Sequence, residues 1–276
     1  MIQSLYLGRV EYGEGLRLQA EITKLVAEGC ADNVLLLLEH PPVVTLGRNA
    51  HRTNILASDE LLARRGITVH EINRGGDVTY HGPGQLVGYP IFDLRTLRNS
   101  SGGRMGPVDF VRRMEEALIG LCGSFGVPAG RVAGLTGVWC GGAANGEASQ
   151  ERKIAAIGIH VSRGITSHGF AFNVTTALED FALIIPCGIA DHGVTSLRNE
   201  MDAANQTAPP LEAVACEAAR QFGEVFSEPV LAFESMAALR AQSVASPINA
   251  PAEDTPLQVP AEVERLRGGP QRPVRA

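Results

Sequence analysis

The chain has 276 residues, a formal net charge of −6 and 45% apolar residues, a composition typical of globular proteins and not of disordered chains. The acidic balance argues against a general nucleic-acid-binding protein, because such proteins usually carry a positive excess. Only two of the 24 basic residues are lysines, Lys24 and Lys153. Arginine supplies charge but does not release a proton at ordinary pH, so the two lysines differ chemically from the other basic residues.

Five cysteines occur at wide spacings without a CxxC pair, which argues against a metal site and against a disulfide framework. The first residues lack the basic and apolar segments of a signal peptide. No uncharged stretch reaches the ~18 apolar residues of a membrane span. We therefore expect a cytoplasmic protein with free thiols and with neither membrane nor nucleic-acid partners.

Apolar periodicity predicts helices and strands that alternate along the chain. Helices are predicted over 12–29, 58–65, 107–126 and 211–226, and strands over 34–38, 43–46, 67–72, 153–159 and 165–174. This alternation predicts one α/β (α+β) domain over residues 1–240. Residues 241–276 contain six prolines and no aromatic residue, which predicts a flexible tail or a strap over the domain surface.

The segment from Arg74 to Gln85 is predicted to be a glycine-rich loop between two strands. Its four glycines permit close approach of a ligand, and Arg74 and His81 supply hydrogen-bond donors. Asp77 is either an acceptor for that ligand or a residue that fixes the turn. The spacing is not that of a dinucleotide or Walker loop, so phosphate binding is not favoured. We favour a ligand-binding loop over a tight hairpin.

Cys187 is flanked by proline and glycine, a pattern that predicts a turn exposing its thiol. A nucleophilic cysteine also needs a nearby positive group or helix N-terminus. Cys140 borders a predicted flexible loop at 140–152 and stays a second candidate. The remaining cysteines are interpreted as small buried hydrophobic residues: Cys30, Cys122 and Cys216.

Lys153 opens an apolar run, where a lysine is poorly solvated and can exchange a proton with a thiol. The alternative is a lysine at a strand edge that reaches water. Histidine is also a common partner of a nucleophilic cysteine. The residues alone do not choose a base among the four candidates: Lys153, His81, His168 and His192.

Four sequence blocks together resemble the signature of the lipoyl(octanoyl) transferase family: residues 74–90, 136–139, 152–158 and 186–197. Their order and spacing fit over about residues 5–230. The resemblance implies a mixed sheet flanked by helices, similar to the catalytic domains of biotin–protein and lipoate–protein ligases. It also identifies residues 1–240 as an octanoyltransferase catalytic domain.

The resemblance implies transfer of an octanoyl group from octanoyl-acyl carrier protein to a lysine of lipoyl domains. The acceptors would be lipoyl domains of 2-oxoacid dehydrogenase complexes and the glycine cleavage H protein. The family's acyl-thioester cysteine falls on Cys187 and its activating lysine on Lys153. Substrate-binding positions fall on Arg74, Gly75, Gly76, Asp77, Val78, Thr79, Tyr80, His81, Ala156, Ile157, Gly158, Gly169, Phe170 and Ala171.

Exchange between thioesters is nearly balanced in energy and amide formation is downhill, so no ATP, metal or other cofactor is expected. Three alternatives stay open: an ATP-dependent lipoate or biotin ligase on the same fold, a cysteine hydrolase, and a non-catalytic acyl-binding module. The carrier partner is acidic, which predicts an arginine patch on this acidic protein. The candidates, which are otherwise ordinary solvated charges, are Arg95, Arg98, Arg112 and Arg113.

Overall fold

The computed structural model describes residues 1–99, 101–141, 151–185 and 192–245. The strands of this part are Ile2–Arg9 (β1), Asn33–Glu39 (β2), Val43–Leu46 (β3), Thr68–Glu71 (β4), Val78–His81 (β5), Gln85–Ile91 (β6), Gly130–Val132 (β7), Leu135–Cys140 (β8), Arg152–Ser162 (β9), Ile165–Asn173 (β10), Gly193–Val194 (β11) and Val230–Phe233 (β12). The α-helices are Tyr12–Ala27 (α1), Asp59–Arg64 (α2), Pro107–Ser124 (α3), Leu197–Asp202 (α4), Leu211–Phe226 (α5) and Met236–Ala245 (α6).

The main sheet has the strand order β12-β1-β2-β6-β10-β9-β8-β7, and β11 adds to β9. Strands β12, β1 and β2 run parallel, whereas β6, β10, β9, β8 and β7 continue the sheet through antiparallel pairs. The predicted mixed sheet flanked by helices is confirmed. Helices α3 and α5 bury one face of this sheet, and α1 and α6 pack on the other.

A second, three-stranded sheet of order β4-β3-β5 lies beside the main one. Its apolar core contains residues of α2 and of a 3₁₀ segment, Leu178–Leu183. The backbone N–H of Gly75 donates to the carbonyl of Ile159, 2.8 Å away, and so ties the start of β5 to β9. The small sheet is thereby held against the strands that carry the candidate site.

The predicted loop between Arg74 and Gln85 is wrong over its centre, because residues Val78–His81 form β5. These four residues are β-branched or aromatic apart from His81, and they pair with β3. Glycine-rich turns flank the strand on both sides. The segment is therefore a strand between two turns, and its side chains alternate between two faces.

Two of the predicted helices begin at residues that favour a helix start. Ser58 caps α2 by accepting a hydrogen bond from the N–H of Leu61. Pro107 starts α3, as is favoured at the first turn of a helix. Helix α6 continues through Ala245, past the predicted domain boundary at residue 240. The rest of the predicted tail lies outside the described residues.

Candidate active site

A β-bulge in β9 decides which way Lys153 faces. Val138 pairs with Ala155 and Trp139 pairs with Lys153, so Ile154 is an extra residue in the ladder. Ile154 and Ala155 both pack into the main core, whereas the next residue, Ala156, lines a cavity on the opposite face. Without the bulge, Lys153 would share the core side with Ala155, because side chains alternate along a strand. The bulge instead places Lys153 on the cavity face.

Lys153 is buried, with 7% of its surface exposed. Its Nζ lies 4.6 Å from the centroid of the Trp139 ring, a favourable position for a cation over an aromatic face. Its backbone carbonyl accepts from the N–H of Thr195 at 3.0 Å. Lys153 is therefore held beneath β8 and beside β11, which confirms the interpretation of a poorly solvated lysine over one that reaches water.

The larger of two cavities that border Ala156, called the main cavity below, lies between α1, the small sheet and the central strands. Its floor consists of small residues of β9 and β10, and polar side chains stand around it. A β-carbon on Gly158 would come within 2.6 Å of the carbonyl oxygen of Gly75, so only glycine fits there. The lining residues are Tyr12, Arg74, Gly76, Thr79, His81, Val87, Tyr89, Ala156, Ile157, Gly158, His168, Gly169, Phe170 and Ala171.

A smaller cavity adjoins the main one and contains Lys153 in its wall. Thr79, Ala156 and Ala171 line both cavities. The smaller cavity also borders Val194 of β11, close to the chain segment that holds Cys187 in the sequence. The two cavities are thus neighbours, with Lys153 in the wall of the smaller one, and we call the pair the slot.

Arg74 is buried below the glycine turn and acts as a structural anchor. Its Nη2 donates to the carbonyl oxygen and the hydroxyl of Thr45, at 2.8 and 2.9 Å, and its Nη1 donates to the carbonyl of Gly75 at 3.0 Å. These bonds fix the turn on β3 and also place a permanent positive charge beside the cavity.

Two buried histidines, His81 and His168, line the cavity, and a third, His40, lies behind the lining residues Tyr12 and Tyr89. Burial is the main reason that the pKa of His40 falls to about 4, that of His81 to about 3 and that of His168 to about 4. Nearby cationic groups lower these pKa values further: His70 acts on His40, and Arg74 acts on both His81 and His168. The imidazoles are neutral at pH 7, so they offer hydrogen bonds without charge.

A chain of hydrogen bonds links the glycine segment to the strand beside Lys153. The side-chain N–H of Gln85 donates to Asn173 at 2.9 Å, which leaves its Oε1 to accept from Nδ1 of His81 at 2.8 Å. His81 therefore presents an unprotonated Nε2 as an acceptor. Asn173 in turn donates to the carbonyl of Thr195 at 3.0 Å. Two distant sequence blocks thus fix one another through buried polar groups.

Several predicted binding residues have side chains away from the cavity. Asp77 accepts from the N–H of Val78 at 2.8 Å and from the side chain of Asn54 at 2.5 Å, so it fixes the turn. Val78 and Tyr80 point into the core of the small sheet, and the Tyr80 hydroxyl donates to Asp180 at 2.8 Å. None of these three residues lines either cavity.

Ile157 and Phe170 border the cavity while packing into the main core. The Phe170 ring stacks on Phe222, with centroids 5.6 Å apart. The small residues Ala156, Gly158 and Ala171 therefore define the cavity floor more directly than these two larger side chains do.

Cys187 lies outside the described residues, as does most of the predicted loop at 140–152. The chain re-enters the described part at His192, whose ring meets that of Trp139 edge-on at 5.2 Å. Trp139, which contacts both His192 and Lys153, belongs to a sequence block to which we assigned no chemical role. Its place opposite the bulge is the feature that sequence reasoning missed.

The other cysteines divide by exposure. Cys122 is buried, as predicted, but Cys216 is exposed and Cys30 is partly exposed, so that interpretation was wrong for these two. Cys140 is buried, and burial, with a contribution from Glu200, raises its thiol pKa to about 12. Cys140 therefore lacks the thiolate that a nucleophile requires.

The predicted arginine patch involves side chains that already have partners. Arg95 bonds Asp93 through two nitrogens, Arg112 pairs with Glu115, and Arg113 donates to the carbonyl of Val225. The patch stays a prediction. Among the described residues, no three metal-binding side chains cluster, and no helix has the length and apolarity to cross a membrane.

Comparison with known proteins places this chain in a family. The model of the lipoyl protein ligase A/B catalytic domain matches residues 11–222. An octanoyltransferase of Acidobacterium capsulatum is 58% identical over 236 residues, which cover 85% of this chain and 94% of the relative. An octanoyltransferase of Koribacter versatilis is 48% identical over 266 residues, with coverage of 96% and 97%.

Solved structures share the fold at low identity. A chain from the structure of a bi-partite lipoate protein ligase and its E2 lipoyl domain from Thermoplasma acidophilum has a TM-score of 0.63 at 16% identity, covering 89% of this chain and 91% of that one. Lipoate-protein ligase A bound with ATP also has a TM-score of 0.63, at 15% identity, covering 89% and 94%. The chain therefore belongs to the lipoyl protein ligase A/B catalytic-domain family and is an acyltransferase.

Proposed function

We propose that this protein transfers an octanoyl group from octanoyl-acyl carrier protein to a lysine of a lipoyl domain, through a thioester on Cys187. The observation that carries the proposal is the bulge that turns Lys153 into the end of the cavity. Lys153 is one of two lysines in the chain, and an arginine at this position could not exchange a proton. The relatives named octanoyltransferase support the choice of acyl group.

The slot suits an extended alkyl chain. Ala156, Ala171 and Val87 give it an apolar lining, whereas Gly158 makes room for the carbonyl of Gly75. At about 0.8 kcal/mol per buried methylene, about six methylenes contribute about 5 kcal/mol, enough to favour a medium-length chain over a short one. The neutral histidines add no charge to the slot, so Arg74 is the charged residue that lines the main cavity.

In the first step the Cys187 thiolate attacks the carbonyl carbon of the carrier thioester, and the carrier thiol leaves with a proton. In the second step the acceptor amine attacks the Cys187 thioester, an amide bond forms and the cysteine thiol is released. In the first step Lys153 accepts the proton of the Cys187 thiol and passes it to the departing carrier thiolate. In the second step Lys153 accepts a proton from the attacking amine and returns it to the departing Cys187 thiolate. Each step exchanges one acyl bond for another, so the sequence needs no ATP.

The proposed partners are octanoyl-acyl carrier protein as donor and, as acceptors, lipoyl domains of 2-oxoacid dehydrogenase complexes and the glycine cleavage H protein. The solved structure that pairs a related ligase with an E2 lipoyl domain supports a lipoyl-domain acceptor for this fold. An ATP-dependent ligase is the competing function, since lipoate-protein ligase A of similar fold has been solved with ATP.

The test is intact-protein mass spectrometry after incubation with octanoyl carrier in the absence of ATP. We expect one octanoyl adduct, mapped by peptide analysis to Cys187 and absent in Cys187→Ser. Cys216→Ser, which removes an exposed thiol far from the cavity lining, is the matched control and should still load. No adduct, or an adduct on Cys140, would overturn the proposal. Turnover that needs ATP would indicate a ligase, and release of free octanoate without acceptor would indicate a hydrolase.

A further inference from the structure

Glu115 is a charged residue on the buried face of α3, with none of its surface exposed. Its Oε2 accepts from Nη1 of Arg112 at 2.7 Å and from Nε of Arg131 at 2.9 Å. Its Oε1 accepts from the backbone N–H of Gly137 at 3.1 Å. One carboxylate thus joins α3 to β7, through Arg131, and to β8, through Gly137.

Gly137 lies directly over the aliphatic stem of Lys153. A β-carbon on Gly137 would sit 2.7 Å from the carbonyl oxygen of Ala155 and 3.4 Å from Cε of Lys153. The glycine has a φ of +127°, which favours glycine over other residues. The carboxylate of Glu115 therefore fixes the backbone at the point where β8 crosses the lysine.

The same stretch of β8 carries Trp139, whose ring faces the ammonium group of Lys153. The ladder between β8 and β9 changes register between Val138 and Trp139, so regular pairing alone does not fix the strand there. A hydrogen bond from Gly137 to a buried carboxylate supplies a fixed point just before this irregularity. If the backbone at Gly137 moved, Trp139 would move with it, and the space available to Lys153 would change.

A buried carboxylate is costly, because desolvation opposes its pairing with arginine, and apolar packing is often as stabilising. Arg112 and Arg131 keep part of their surface exposed, with side-chain exposures of 52% and 39%. An apolar side chain at position 115 would fill the core but could not accept the Gly137 N–H. The hydrogen bond between Gly137 and Glu115 is therefore better explained by a role in positioning β8 than by a role in core packing.

We propose that Glu115 is a positioning residue for Lys153, acting through Gly137 and Trp139 of β8. This inference rests on the proposed role of Lys153 in octanoyl transfer. Glu115 is not among the residues that line either cavity, and its neutralisation leaves the charge of Arg112 in place, so it should slow acyl transfer to Cys187 without weakening binding of the acidic carrier.

The experiment compares Glu115→Gln with Glu116→Gln, which alters the neighbouring, exposed residue of the same helix. Single-turnover loading of Cys187 from octanoyl carrier is followed by rapid quench and mass spectrometry. The amplitude reports the fraction of folded enzyme, and the rate constant reports the geometry at Lys153. We expect the rate constant of Glu115→Gln to fall about ten- to a hundredfold, as for a misplaced catalytic group, while the dissociation constant for the carrier does not rise.

Trp139, the single tryptophan of the chain, gives an independent readout of β8. Its ring is 2% exposed, and we expect its emission to shift to longer wavelength in Glu115→Gln but not in Glu116→Gln. A folded Glu115→Gln enzyme with an unchanged rate constant and emission would overturn the inference, as would a loss confined to the amplitude. If Glu115→Gln does not fold, Arg131→Gln removes one of the two ion pairs and should show the same two effects more weakly. Failure of the wild-type enzyme to load would instead overturn the proposed function.

Discussion

The main cavity and the lysine-bearing end of the site are built from different kinds of residues. The cavity has a floor of small residues of β9 and β10, and its wall combines neutral histidines with Arg74; strands, α1 and the glycine turn before β5 carry these residues. The lysine end depends on a bulge, on the short strand β11, and on a buried carboxylate that holds β8. The floor of the main cavity thus consists of small side chains, whereas the lysine end is held in place by polar contacts.

The difference suggests that the two regions have separate roles: the cavity selects the acyl chain, and the lysine end transfers the proton. A slot tolerates small shifts, because apolar contacts are not directional. Proton transfer requires groups within hydrogen-bond reach and so needs a rigid surround. We therefore expect substitutions in the cavity to change substrate preference and substitutions at the lysine end to change the rate for every substrate.

The largest effect is expected for Lys153→Arg, which keeps the positive charge but removes proton exchange. We expect octanoyl transfer to fall at least about a hundredfold, within the usual contribution of general acid–base catalysis. Steady-state transfer to an acceptor domain measures it. Lys24→Arg, at the other, exposed lysine, is the control and should leave turnover unchanged. Near-normal turnover of Lys153→Arg would show that Lys153 contributes only charge.

An intermediate and selective effect is expected for Ala156→Leu in the cavity floor. The larger side chain fills space that both cavities share, so kcat/KM for an octanoyl donor should fall about tenfold relative to a butanoyl donor. Ala213→Leu, on the exposed side of α5, is the control. Equal losses for both donors would mean that this cavity does not hold the acyl chain, and the contrast between the two regions would fail.

The sequence predicted most long elements because their apolar periodicity is strong. Helices α3 and α5 are long and amphipathic, and β3 is a short apolar run ended by turn residues. The sequence also indicated the glycine segment and Lys153. It did not predict that residues 78–81 form a strand, since the flanking glycines obscured a short β-branched run.

The orientation of Lys153 could not be predicted from the sequence. Simple alternation along β9 places Lys153 on the same side as Ala155, and an inserted residue in a ladder depends on the partner strand. Glu115 did leave a signal, a charged residue within the apolar face of a long helix. That signal identifies a buried carboxylate but not its partners, which lie on strands brought close only by the fold.

The smallest effect is on the free energy of unfolding. It tests whether the buried histidines at the cavity are neutral. The pKa values of His40, His81 and His168 lie at about 4, 3 and 4, below the ordinary value of 6.5 that applies to the unfolded chain. The folded protein thus binds fewer protons than the unfolded chain once the pH falls below 6.5. Their contribution is fully present above pH 6.5 and is lost as the pH falls towards about 4.

The measurement is the free energy of unfolding by urea at several pH values between about 5 and 7, above the range in which most carboxylates titrate. Each histidine adds a slope of up to about 1.4 kcal/mol per pH unit. His81→Gln, which removes one of the three, should lower the slope by roughly a third, whereas His51→Gln, at an exposed histidine, should not. An unchanged slope in His81→Gln would mean that His81 is not kept neutral by the fold. His81 would then add a positive charge to the cavity wall, and the contrast between a wall with neutral histidines and an end that carries Lys153 would be lost.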